Sequence, residues 1–451
     1  MATPNTSTRP VPTEPARATA TDTARVLTLA LAPIVAQGVI ARRRRVVALA
    51  GKLDTDGRGV AVLQDLRDRY GPGPVRLRIP GRPAALVLDP GHVRRTLTES
   101  PDPFAPDSWE KRGALRHLQP HGVLISHGSL RAARRVFNEA VLDTGKPLHE
   151  QAGAMTRVVH GEASWLGSVA AGDGALTWDT FIPAWWRTVR RIVLGDGARE
   201  DHRLTDDLTH LRNRANWSGL VPQQKARRDR FRNAVRTHLD RAEPGSLAAM
   251  TARNPADGRT DPVDQVPQWL FAYDPAGAVA YRALALLTAY PDELARVRAE
   301  IAERDLTEPH DLPRLRAAIL ESVRLWPTTP LLLRDTTVPT TWGGSTLPAG
   351  TAMIIPTWFL HRDDRTRDDA DRFHPEQWLD GSAREDWSLV PFSAGPAACP
   401  GRELVLFTAS TFLAVLLRDL DPEQPAELSG GEPLPKGLDP FALRFPVRAI
   451  R

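Results

Sequence analysis

The chain's only cysteine, Cys399, lies in Phe392-Ser393-Ala394-Gly395-Pro396-Ala397-Ala398-Cys399-Pro400-Gly401, a glycine-punctuated loop that runs straight into an apolar, helix-forming stretch. A thiol near a helix N-terminus has its thiolate stabilised by free backbone N–H groups and the helix dipole, and a thiolate is a ligand that iron accepts. The small residues around it let a flat cofactor approach the backbone. The plain alternative is a buried cysteine acting as a small core hydrophobe.

Other residues fall in patterns that could act. Glu321-Ser322-Val323-Arg324 puts opposite charges three residues apart on one helical face, as a surface ion pair would also do. Leu130-Arg131-Ala132-Ala133-Arg134-Arg135 is a basic helix face, either solvated or turned toward an anion. Between His361 and Trp378, Asp363-Asp364 and Asp368-Asp369 invite a magnesium–diphosphate reading, but the interleaved arginines would neutralise such a site. In Gln268 to Gly277, Asp274 precedes Pro275, which has neither a hydroxyl nor a backbone N–H. Proline there frees the Phe271 carbonyl from its helical bond, and a locally broken helix could organise water beside Asp274.

A large core must position these groups. With 451 residues and 41% hydrophobic content, the chain can build one big domain or two or three ordinary ones. A single cysteine excludes an internal disulfide, so a reducing cytoplasm is the expected setting. The formal charge is +5, from 59 Lys and Arg against 54 Asp and Glu. Such a mixed surface is weak evidence for nucleic acid and suits an acidic electron-transfer partner better. Residues 1–24, rich in Thr, Pro and Ala, read as a disordered tail. Val26 to Ile40 is shorter than the roughly 20 residues a bilayer span needs and is broken by Pro33 and Gly38, so the default is a packed N-terminal helix. Surface attachment to a membrane through 26–45 is the alternative, drawing on Arg42 to Arg45. Gly71 to Leu88 alternates, turns and alternates again, which predicts a β-hairpin. Residues 114–304 are mostly helical in period, and further strands are expected around 351–355 and 443–447. The simplest reading is one large, mainly α domain over 25–451 with minor sheets and no fused redox module.

The loop carrying Phe392, Gly395, Cys399 and Gly401 resembles the haem-binding loop of the cytochrome P450 family, in its bacterial soluble type, where the cysteine is the axial iron ligand. The order of the remaining motifs fits the same resemblance. Glu321 and Arg324 match the family's Glu-x-x-Arg helix, Trp326-Pro327 its proline-led segment, and Arg334 the arginine that pairs a haem propionate. The stretch from His361 to Trp378 is similar to the family's meander, with Gln377 where an arginine usually completes a charge triad. Arg135 matches a propionate-binding arginine, while Arg131 replaces its usual aromatic partner and Ala397 replaces a usual His or Arg. In the oxygen-activating motif Asp274 retains the acid, but Phe271, Ala272 and Pro275 stand in the small-residue, glycine and threonine places.

The resemblance implies a triangular, mainly α fold with small β-sheets around haem b, held by Cys399 and by Arg131, Arg135 and Arg334. It further implies a monooxygenase that uses dioxygen and electrons from an external ferredoxin, the thiolate pushing electron density toward iron. Phe271, Ala272, Ala276, Thr328 and Leu331, with Asp274 and Pro275, would line a pocket for a lipophilic terpenoid, polyketide or fatty acyl substrate. The missing threonine keeps open a non-oxidative enzyme of the same fold, a terpene cyclase, isomerase or lyase. A haem-binding sensor without turnover is a third possibility.

Overall fold

In the computed structural model, the described residues are 15–450 other than 72, 255 and 430. Helices Ala152–Asp173, Trp178–Leu194, Val266–Ala289, Pro313–Leu325 and Arg402–Asp419 pack on one another to form the main core. Arg402–Asp419 is buried on every face from Leu404 to Leu417, as expected of a helix that is apolar all round. Aromatic rings bind this bundle together. Phe181 lies 4.9 Å from the Tyr281 ring and 5.6 Å from Phe412, and Trp185 lies 5.4 Å from Phe412.

A five-stranded sheet forms the second core, in the order Val75–Leu77, Ala84–Leu86, Ala352–Pro356, Leu331–Thr336, Phe104–Ala105. The expected hairpin is present, with Val75 opposite Leu86 and Leu77 opposite Ala84. The strands expected near 351–355 and 443–447 are Ala352–Pro356 and Arg444–Ala449. Leu331–Thr336 is a further strand, outside those expected from the sequence. Its side chains alternate between buried and half-buried positions, and it pairs antiparallel with Ala352–Pro356.

The N-terminal boundary needs correction. Residues 1–14 of the expected tail lie outside the described residues, but 15–24 are folded onto the sheet. Arg76 N–H donates to the Ala16 carbonyl at 2.8 Å, and Ala18 N–H donates back to the Arg76 carbonyl at 3.0 Å. Thr19 then caps helix Ala20–Arg25, and the buried Asp22 accepts from Arg69 at 2.6 Å and from the Tyr70 hydroxyl at 2.6 Å. Polar anchoring of this kind leaves no apolar period to read. Val26 to Gln37 continues as a π-helical turn and a short α-helix, with Val26, Ala30 and Ile34 buried. Among the described residues, no helix is long and apolar enough to cross a membrane.

Candidate active site

The Cys399 loop is closed by its own backbone. Cys399 N–H donates to the Phe392 carbonyl at 2.9 Å, and the chain turns through positive φ at Ser393 (60°) and Gly395 (65°). A Cβ at Gly395 would stand 2.2 Å from the Leu97 carbonyl oxygen, so glycine is required there on both counts. Gly401 differs. A Cβ there would meet nothing nearer than Leu142 Cδ1 at 3.9 Å, and the residue lines a cavity. Its backbone N–H faces Cys399. Burial pushes the thiol above its ordinary value, opposed by that N–H and by the charges of Arg135 and Arg402.

The cavity has a volume of about 900 Å³ and is lined by Cys399, Phe392 and Gly401 together with Phe271, Ala272, Asp274, Pro275, Ala276, Thr328 and Leu331. The expected pocket residues are therefore brought together with the thiol. Gly395 shapes the loop from outside the cavity wall.

A surplus of positive charge faces the same space. Arg334 is buried, donating to the Leu333 carbonyl at 2.9 Å and to Ser393 Oγ at 3.1 Å, while its Nε has no partner among the described residues. Burial and the nearby Arg131 push it down to about 10. Arg131 is also buried and makes no side-chain hydrogen bond or ion pair among the described residues. Arg135 is committed to Glu139 and, at 2.7 Å, to the Ala398 carbonyl, so Arg131 is the freer of the two helix arginines. Lys111 joins them without any sequence signal. Its ammonium donates to the Pro106 carbonyl at 2.9 Å and the Leu333 carbonyl at 3.2 Å, and burial with Arg334 beside it pushes it down to about 7. These donors fit a dianionic group such as a pair of carboxylates, and the space over Gly401 fits a flat ring. Both features match haem.

Helix Val266–Ala289 crosses the cavity and runs on through Pro275, so the expected local break is absent. Trp185 Nε1 donates to the Tyr273 carbonyl at 2.7 Å on one side of this turn. On the other, Arg212 Nη2 donates to Asp274 Oδ2 at 2.5 Å and to the Ile40 carbonyl at 2.9 Å, its guanidinium 4.7 Å from the Phe271 ring centre. Asp274 is thus engaged by an arginine from helix His202–Ala215 that no sequence pattern singles out.

Glu321 and Arg324 lie away from the cavity wall and are fully buried. Arg324 Nε and Nη2 each donate to the Glu321 carboxylate at 2.7 Å. The carboxylate also accepts from His374 N–H at 2.8 Å, Trp378 Nε1 at 2.8 Å and Gln377 Nε2 at 3.0 Å. The neutral bond expected of Gln377 is present, and its oxygen accepts from Arg367 at 3.0 Å. Arg367 thereby carries a positive charge one residue further out. Of the aspartates of this segment, Asp363 is held by Arg67 and Gln64, Asp369 by Arg367, and Asp371 by Arg362. Among the described residues no group of three or more acidic, histidine or cysteine side chains is placed to hold a metal ion.

Known proteins carry the same pattern. The cytochrome P450 family model matches residues 276–434. The chain is 35% identical over 382 residues to the cyclooctat-9-en-7-ol 5-monooxygenase of Streptomyces melanosporofaciens, covering 76% of this chain and 81% of that one. It is 34% identical over 146 residues to the sugiol synthase of Salvia miltiorrhiza, 30% of each chain. A match to cytochrome P450 71D179 of Thymus vulgaris, 32% identical, covers 35% of this chain and 34% of the relative, so the plant relatives are matched over about a third of their length. Among solved structures, the retinoic acid-bound cyanobacterial CYP120A1 superposes with a TM-score of 0.71 at 18% identity, covering 86% of this chain and 94% of that one, and so shares the fold. Because the Streptomyces relative is matched along most of both sequences, the chain belongs to the cytochrome P450 family.

Proposed function

We propose that the chain is a haem-thiolate monooxygenase that hydroxylates or epoxidises a lipophilic natural product, a terpenoid or polyketide, with electrons from an external ferredoxin in the cytoplasm. What carries the reading is that Cys399 and the unpaired cations Lys111, Arg131 and Arg334 line one cavity with Phe271, Ala272 and Ala276. Haem b, once bound, supplies the activation of dioxygen. Cys399 is the candidate axial ligand. Arg131 and Arg334, helped by Lys111, would hold the propionates through charge-assisted hydrogen bonds, which would also relieve their mutual repulsion. Phe271, Ala272, Ala276, Thr328 and Leu331 orient the substrate by shape and keep water away from it. Asp274 holds a carboxylate beside the Pro275 turn, where Arg212 fixes its direction. The Streptomyces relative is named for oxygenation of a cyclic terpenoid alcohol, which favours a terpenoid here.

Pro275 motivates a second reading, non-oxidative chemistry on the same fold. Candidate terpenoids and prenyl diphosphates are incubated with haem-loaded protein under labelled dioxygen, with and without a ferredoxin reducing system, and products are read by mass spectrometry. Label in product only with reductant is the expected result. An unlabelled, cyclised or rearranged product formed without reductant would overturn the monooxygenase reading. Cys399→Ser should also abolish the thiolate signature of the reduced carbon monoxide complex, and an unchanged spectrum would remove Cys399 as ligand.

A further inference from the structure

Half of the charged side chains that line the cavity are paired. Arg44 meets Asp179 at 2.8 Å, Lys436 meets Asp371 at 2.8 Å, Arg82 meets Glu110 at 2.8 Å, and Arg212 holds Asp274. Beyond the cations assigned to the haem edge, a second group is left over. It comprises Arg42, Asp56, Arg282 and Asp439, with Gln37 beside them, all on the cavity wall. Arg282 lies seven residues past Pro275 on the crossing helix, about 10 Å along its axis. Asp56 stands in the first turn of helix Thr55–Tyr70, and Arg42 and Asp439 come from loops.

Each group is held by neutral partners only. Arg42 Nη2 donates to the Thr328 carbonyl at 3.3 Å. Arg282 Nη1 donates to the Trp326 carbonyl at 3.1 Å and Nη2 to the Leu438 carbonyl, while its Nε has no partner among the described residues. Asp56 Oδ1 accepts from Gln37 Nε2 at 3.4 Å, and Asp439 Oδ1 accepts from Phe441 N–H at 2.9 Å. Among the described residues none of the four charged groups makes an ion pair, although Arg42 and Arg282 lie close enough to repel each other and to attract Asp56. All four are half-buried on the cavity wall, where a charge without an opposite partner is still costly, and their neutral anchors keep them from closing onto one another.

The chemistry of the gap selects its occupant. Guanidinium groups only donate and carboxylates only accept, and here two of each cancel formally. A ligand carboxylate or phosphate would gain from the arginines and lose to the aspartates, and an ammonium would do the reverse. A hydroxyl satisfies both, accepting from an arginine while donating to an aspartate. We propose that Arg42, Asp56, Arg282 and Asp439 form a subsite for a hydroxyl group already present on the lipophilic substrate. A hydroxylation, or a cyclisation ended by water, must therefore supply that substrate. Burial raises Asp56 and Asp439 and lowers Arg42 and Arg282, the last to about 9, a strain that hydrogen bonds to a ligand would offset.

The inference rests on the lipophilic-substrate reading above, and the test separates the two. Haem-loaded protein is titrated calorimetrically with farnesene, farnesol and farnesoic acid, which share one isoprenoid chain. Farnesol should bind at least about tenfold tighter than either of the others, the factor expected for one hydrogen bond to a charged group. Arg282→Gln should remove most of that preference while leaving farnesene affinity unchanged. The near-isosteric Asp56→Asn, which spares the Trp326 and Leu438 contacts, should shift preference toward farnesoic acid. Farnesol and farnesene binding within threefold of each other, tightest binding of the acid by the unmodified protein, or a preference unmoved in both variants overturns the hydroxyl subsite alone. Binding of none of the three overturns the lipophilic-substrate reading and the subsite with it.

Discussion

Replacing Glu321 by glutamine keeps the shape of the side chain and removes only its charge, and the surroundings fix what that costs. The carboxylate is fully buried and receives N–H groups from Arg324, His374, Gln377 and Trp378. In Glu321→Gln one oxygen becomes an NH2 group. If it replaces Oε1 it faces Arg324 Nε, Gln377 and Trp378; if it replaces Oε2 it faces Arg324 Nη2 and His374. Either way donors oppose donors at the new amide, and Arg324 loses its charged partner and one of its two bonds to residue 321, keeping the other bond and the carbonyls of Ala370, Arg372 and His361. Breaking a buried pair from one side costs about 3 to 5 kcal/mol, against a typical total of about 5 to 15 kcal/mol. Gln377→Leu removes a neutral donor from the same carboxylate and should cost less, about 2 kcal/mol. Urea denaturation of haem-loaded protein, followed by circular dichroism and the Soret band, compares the two. The loss should extend to haem retention, because His361, whose carbonyl touches Arg324, also accepts Val390 N–H at Nε2 (3.1 Å), two residues before Phe392. A Glu321→Gln cost below about 1 kcal/mol, or one no larger than that of Gln377→Leu, would refute the assignment of this cluster as a charged positioning device.

Burial, with Arg324 and Arg367 nearby, pushes His361 down to about 3, so below an unfolded value of about 6.5 only the unfolded chain takes up this proton and stability falls with pH. Between pH 6.5 and 5 the unmodified protein should lose on the order of 2 kcal/mol more than His361→Gln, measured by denaturation at each pH; parallel losses would contradict a neutral buried imidazole. Gly395→Ala, forced to positive φ against the Leu97 carbonyl, should lower the melting temperature, whereas Gly401→Ala should leave the polypeptide's melting intact yet reduce the haem-to-protein ratio; full haem content in Gly401→Ala would mean that no flat ring lies against that backbone. Pro275→Thr should raise the fraction of consumed electrons recovered in oxygenated product, and unchanged coupling would mean that water at Asp274 already suffices.

The motifs were legible where local spacing carries them. Cys399, Glu321, Arg324 and Arg334 stand in short patterns, and the hairpin at 75–86 alternates visibly. What stayed hidden depends on long-range pairing. Leu331–Thr336 becomes a central strand only because Ala352–Pro356 and Phe104–Ala105 flank it. Lys111 reaches the cation cluster through tertiary packing of its helix, Trp109–Leu115, beside Leu333. Arg212 and Asp274 are 62 positions apart, too far for any helical or strand period to connect them. The folded part of the N-terminal segment was missed because its anchors are polar, Thr19 and Asp22, and hydrophobic spacing does not record them.

The crossing helix shows how a turn can take a proline, at the place where the resemblance would put a threonine, and keep its geometry. Proline inside a helix removes one hydrogen bond and crowds the preceding turn, at about 3 kcal/mol. Here the turn is pinned from two sides: the Trp185 indole holds the Tyr273 carbonyl at 2.7 Å, and Arg212 holds Asp274 at 2.5 Å. Trp185 can come that close only because residue 277 is glycine, where a Cβ would stand 2.9 Å from the indole nitrogen. Arg212 in turn covers Phe271, whose carbonyl Pro275 cannot reach with a hydrogen bond. At Pro275 itself the change is therefore confined to one absent hydroxyl and one absent N–H in an otherwise continuous helix. A proton donor for oxygen chemistry would have to come from water ordered by Asp274, and the mobility of Arg212 would set how freely that carboxylate can turn toward it.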